Sequence, residues 1–100
     1  MGVTLNRDTV GNMALPNGKH EKYFWDDDLR GFGLKIRVDA KGIVRRSYVL
    51  QYRFGQRFRK IKLGDYSKIS VDGARLMARK YWAVILLGHD PQAERRARVR

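Results

Sequence analysis

Three consecutive carboxylates, Asp26, Asp27 and Asp28, are the first candidates for chemistry in this 100-residue chain. They stand in the stretch YFWDDDLRGFGLKIRV (residues 23–38) and hold three of the ten acidic residues of a chain whose formal net charge is +12. A metal site needs more ligands than these, and His20 is the one nearby candidate. Adjacent aspartates cannot all point one way, and the spacing of a calcium loop is missing. A hydrolase built on two carboxylates needs them on separate supports across a substrate, and no second support is evident. Gly31-Phe32-Gly33 lacks the third glycine and the following helix of a phosphate loop. His20 and His89 are far apart, His89 falls at an expected helix exit, and no serine, histidine and acid combination stands out. No catalytic residue, metal or cofactor is therefore expected. The aspartates should shape a turn, helped by the backbone freedom of Gly31 and Gly33, with one of them paired to a helix arginine such as Arg75.

The cations carry more information. From Lys35 to Lys62 there are ten Lys or Arg residues and one acid, Asp39. Ordinary soluble surfaces intersperse both signs, so this clustering points to a polyanionic partner. No stretch approaches the roughly 20 apolar residues of a membrane span. The first ten residues lack the basic-then-apolar order of a signal peptide. There is no cysteine, hence no disulfide framework or thiolate metal site. One small cytoplasmic, nucleoid-associated domain is expected, with no membrane partner.

The elements that must position these cations follow from periodicity. Residues 1–22 read as an irregular arm with room for one short ordered piece. Phe32, Leu34, Ile36 and Val38 alternate with Gly33, Lys35 and Arg37, which predicts a strand with one buried face. Asp39-Ala-Lys-Gly42 is a turn signal. A second strand is expected over Arg45–Phe54, a tight hairpin at Gly55-Gln56, and a third strand over Arg57–Leu63. Ser70 is a helix N-cap with Asp72 in the first turn, and the helix should run from Val71 to about Leu87, stopped by Gly88 with Pro91 beyond. Val71, Ala74, Ala78, Tyr81, Trp82 and Ile85 share the face that covers the sheet. The expected fold is α+β: a three-stranded antiparallel sheet packed against a C-terminal helix. The domain should occupy residues 23–88, with residues 89–100 a basic linker toward domains not present here.

If Ile36, Leu50, Tyr52, Ile61 and Leu63 face the helix, the opposite face holds Lys35, Arg37, Ser47, Val49, Gln51, Arg53, Phe58, Lys60 and Lys62. Five of these are cations and none is acidic. Such a ribbon suits the major groove of double-stranded DNA, where Phe58 and Val49 would touch thymine methyls. Two other readings remain. An RNA-binding module would want exposed aromatics on the sheet, and Phe58 is the one in view. A protein-interaction module would use the surplus apolar surface of Leu86 and Leu87.

The ordered set Asp28-Leu-Arg-Gly-Phe-Gly-Leu-Lys-Ile36, Tyr48-Val-Leu-Gln-Tyr-Arg53, Lys62-Leu-Gly-Asp-Tyr66, Ser70-Val-Asp-Gly-Ala-Arg75 and Gly88-His-Asp-Pro91 resembles the N-terminal arm-type DNA-binding domain of phage and genomic-island integrases. These are tyrosine recombinases of prophages and other mobile elements, enzymes of DNA integration and recombination. The likeness spans roughly residues 4–95. It implies a three-stranded sheet entering the major groove of arm-type attachment sites, with Lys35, Arg37, Ser47, Gln51, Arg53, Lys60 and Lys62 at the groove, and other integrase domains or protomers as partners. Gly73, in the first turn of the helix, departs from the pattern and should weaken the helix start. The catalytic arginines, His-x-x-Arg element and tyrosine nucleophile of that family have no counterpart here; His20-Glu-Lys-Tyr23 and His89-Asp-Pro-Gln92 do not supply them. The chain is expected to bind DNA without cutting it, as a piece of a longer recombinase.

Overall fold

The computed structural model describes Leu5, Asn6, Leu15, Gly18 and residues 20–91. Four strands, β1 (Glu21–Trp25), β2 (Phe32–Val38), β3 (Val44–Phe54) and β4 (Arg57–Asp65), precede one helix, α1 (Val71–Leu86). The strands form one antiparallel sheet in the order β1-β2-β3-β4. The α+β class and the meander are as expected, but the sheet has four strands rather than three. The added strand is Glu-Lys-Tyr-Phe-Trp, whose three successive aromatics give no alternation to detect.

Each connection follows from local chemistry. Asp39 Oδ1 accepts hydrogen bonds from Lys41 N (2.9 Å) and Ile43 N (3.0 Å), closing the β2–β3 turn. Gly55 occupies the first position of the two-residue β3–β4 loop with φ +64°, a conformation that favours glycine and fits a type II′ hairpin. At the start of α1, Ser70 Oγ accepts from Gly73 N at 3.0 Å, so the cap secures the turn that Gly73 was expected to loosen. Gly88, at φ +88°, turns the chain away after the helix.

The core lies between one sheet face and α1. Phe32, Leu34 and Ile36, then Tyr48, Leu50 and Tyr52, then Ile61 and Leu63 point into it, and Val71, Ala74 and Ala78 meet them from the helix. The alanines let the helix backbone approach closely. Leu5 joins this cluster at 1% exposure, so the N-terminal arm contributes to the core. Past the helix, Asp90 is buried, accepts a hydrogen bond from the Tyr52 hydroxyl, and pairs with Arg59 Nε at 3.3 Å. Pro91 is fully buried beside it. The rest of the expected linker, residues 92–100, lies outside the described residues.

The aspartates divide as their chemistry demands. Asp26 is buried; Asp27 and Asp28 are exposed. Asp26 accepts from Leu5 N (2.7 Å), Asp28 N (3.1 Å) and Leu29 N (2.7 Å), and Arg75 Nη1 meets its carboxylate at 2.6 Å. Arg75 Nη2 donates to the Leu5 carbonyl at 2.6 Å, and its guanidinium lies over the Phe32 ring. One carboxylate and one guanidinium thus tie together the arm, the β1–β2 turn and α1. The turn and its arginine partner are those the sequence predicts.

Candidate nucleic-acid interface

The face of the sheet turned away from α1 is set by strand register. Tyr23 pairs with Lys35 and Lys35 with Ser47; Gly33 pairs with Val49, and Val49 with Lys62. Gln51 pairs with Lys60, and Arg53 with Phe58. Cross-strand partners share a face, so Lys35, Arg37, Ser47, Val49, Gln51, Arg53, Phe58, Lys60 and Lys62 all stand on one side. Arg37, Arg53, Phe58, Lys60 and Lys62 are exposed, while Lys35, Ser47 and Gln51 are half-buried.

Three features of this face differ from expectation. Val49 is only 5% exposed and is not available for contact. Its partner Gly33 has no side chain, and the Trp25 ring lies in the space left: a Cβ on Gly33 would stand 2.6 Å from that ring. Second, the face is not free of acids. β1 brings Glu21 to within 3.2 Å of Lys35, and Asp65 holds Lys62 at 2.8 Å. Hydrogen bonding from Lys62 keeps the Asp65 carboxyl below its ordinary range, aided by Lys68 and Arg45, so it remains charged there. Third, Phe58 is not the sole aromatic. Tyr23 and Trp25 stack in parallel, with centroids 5.4 Å apart and planes 3° from coplanar. Lys60 Nζ sits 4.2 Å from the Tyr23 ring centre, and Lys35 Nζ sits 5.7 Å from it.

The face therefore has two halves. Toward β1, aromatic rings cover the sheet and hold lysines by cation–π attraction. Toward the β3–β4 hairpin, Gln51, Arg53 and Phe58 remain accessible, with Phe58 71% exposed. This arrangement presents positive charge, hydrogen-bonding heads and one apolar group together. It contains no nucleophile paired with a base. Among the described residues, no group of three or more His, Cys, Asp or Glu side chains is placed to hold a metal, and no helix is long and apolar enough to cross a membrane.

The arm DNA-binding domain family model matches residues 5–98. The chain belongs to that family. An arm DNA-binding domain is the DNA-binding, non-catalytic part of phage integrases, which makes DNA the partner of this chain. No match was found among curated proteins. The match begins at Leu5, the arm residue that reaches the core. Sequence reasoning missed Tyr23 and Trp25 in this arm DNA-binding domain. Phe24 between them hides their shared face, and Gly33 on the neighbouring strand, which leaves room for a ring, is the remaining signal.

Proposed function

We propose that this domain holds a phage-type integrase, a site-specific tyrosine recombinase of a prophage or genomic island, on arm-type attachment sites. It does so by setting the cationic sheet face into the major groove. The observation that carries the reading is the convergence of Arg37, Arg53, Lys60 and Lys62 on the exposed side of the sheet in a chain of net charge +12. The major groove admits a two-stranded β-ribbon, and beyond Leu50 the β3–β4 hairpin is one. Lysines and arginines neutralise phosphates and set the register, and Gln51 and Ser47 add hydrogen bonds to base edges. Other integrase domains or protomers would complete the recombination complex.

Binding should be strongly salt-dependent. About five to eight phosphate contacts correspond to a roughly thousandfold loss of affinity between 50 and 200 mM salt. Fluorescence anisotropy on duplexes with and without arm repeats measures this, and an affinity indifferent to salt contradicts the reading. The Tyr23–Trp25 stack favours one other reading, single-stranded RNA on aromatic platforms. An RNA strand competing as well as duplex DNA in the same assay would select it.

A further inference from the structure

β2 ends its pairing at Phe32 opposite Leu50, so beyond Leu50 the β3–β4 hairpin projects as a two-stranded ribbon. A notch of about 520 Å³ opens where the ribbon leaves the sheet. Gly31 and Gln51 form its floor, joined by a 2.8 Å hydrogen bond from Gln51 N to the Gly31 carbonyl. Trp25, Arg53 and Phe58 line it from the face turned away from the helix and Trp82 from α1, and Tyr52 and Arg30 complete the lining. Trp82 is fixed there by its Nε1 bond to the Arg30 carbonyl at 2.8 Å. Gly31 keeps the floor open: its φ is +78°, and a Cβ would run into the Gln51 carbonyl and approach the Trp82 ring to 3.2 Å.

We propose that this notch reads the 5-methyl group of a thymine in the major groove, with Phe58 as the apolar contact and Gln51 pairing with a neighbouring adenine. The inference rests on the major-groove reading above and assigns its specificity. Thymine is the base that presents a methyl there, and glutamine matches the adenine edge. The lining joins aromatic surface, an amide and two arginines and includes no acid, which suits a base edge beside phosphates. Val49 is buried and cannot meet the methyl, whereas Phe58 projects at 71% exposure with the Arg53 guanidinium 5.8 Å from its ring centre. An aromatic ring so exposed adds little to the core, so its removal leaves the fold intact.

The test begins with a duplex enriched by this protein from a random-sequence library. Each thymine is then replaced singly by deoxyuridine, which deletes the methyl and preserves pairing. At one position the replacement should weaken binding about fourfold, the effect of exposing one methyl group. Phe58→Ala should bind the thymine and deoxyuridine duplexes equally, while Lys60→Ala should keep the discrimination. Enrichment of a duplex with no deoxyuridine effect anywhere, or discrimination surviving in Phe58→Ala, overturns the notch alone. Failure to enrich any duplex overturns the duplex reading, and the notch with it.

Discussion

Replacing Asp26 by asparagine removes the charge from the junction of three segments while keeping its shape. In the native domain the carboxylate takes two bonds from Arg75, at 2.6 and 3.2 Å, and three from backbone amides, with no exposure of its side chain. An amide has one accepting oxygen, so its NH2 group would face donors. Arg75, whose side chain is 17% exposed, would lose its hydrogen-bonded counter-charge and keep only the weaker attraction of Asp28 and Asp72. Breaking a buried pair from one side costs about 3–5 kcal/mol, a large part of the roughly 5–15 kcal/mol that stabilises a small domain. Urea denaturation at pH 7 should show the midpoint falling by about 1–5 M, for a slope near 1–3 kcal/mol/M. The pH dependence supplies a second check. Burial pushes the Asp26 carboxyl up, but the Arg75 hydrogen bonds and the Leu5 and Leu29 amides outweigh it, and the net shift is downward. A carboxylate with a lowered folded value contributes fully above its unfolded value of about 3.9, and that contribution is lost as pH falls through the folded value. The gap between native and Asp26→Asn domains should therefore be widest at neutral pH and narrow below about pH 4. An Asp26→Asn domain within about 0.5 kcal/mol of native at pH 7, the range of an ordinary surface substitution, would refute the reasoning.

Leu50→Ala should destabilise the domain by about 2–5 kcal/mol in the same denaturation assay, because the side chain is fully buried under α1. Gly33→Ala should cost about 1–3 kcal/mol by forcing Trp25 off the sheet, with a change in tryptophan emission as the independent sign. Gln51→Ala should lower discrimination between an enriched and a scrambled duplex by about 1–3 kcal/mol if the contact is bidentate. Lys60→Ala should weaken both duplexes alike and reduce the salt slope by about one in anisotropy titrations. Calorimetry with magnesium, manganese or calcium should show no stoichiometric site at the aspartates, since Asp26 is already engaged by Arg75 and backbone amides.

Much of this architecture is legible in the residues themselves. Alternation in β2 through β4 marks the core face, Ser70 and Gly88 mark the ends of α1, and a turn aspartate paired with Arg75 is foreseen, although which of the three is buried is settled only by the fold. The rest depends on contacts remote in sequence. β1 carries Tyr23, Phe24 and Trp25 in succession, a pattern with no period, and it is a strand because β2 offers it an edge. The burial of Val49 needs both that strand and the absence of a side chain on Gly33. Glu21 reaches the cationic face by the same route, so a face that reads as acid-free carries an ion pair with Lys35. Leu5 stands alone among polar residues, and nothing local announces that Asp26 and Arg75 will hold its backbone in the core.

The central claim is that the β2–β4 face, not α1, meets duplex DNA. Backbone amide shifts followed by NMR during titration with a duplex carrying candidate arm repeats test it most directly, with an RNA strand as control. The account predicts changes concentrated at Arg37, Ser47, Gln51, Arg53, Phe58, Lys60 and Lys62, shrinking as salt rises, with the RNA binding more weakly. Changes centred on the exposed helix residues Leu76 and Leu86, with the sheet undisturbed, would contradict it.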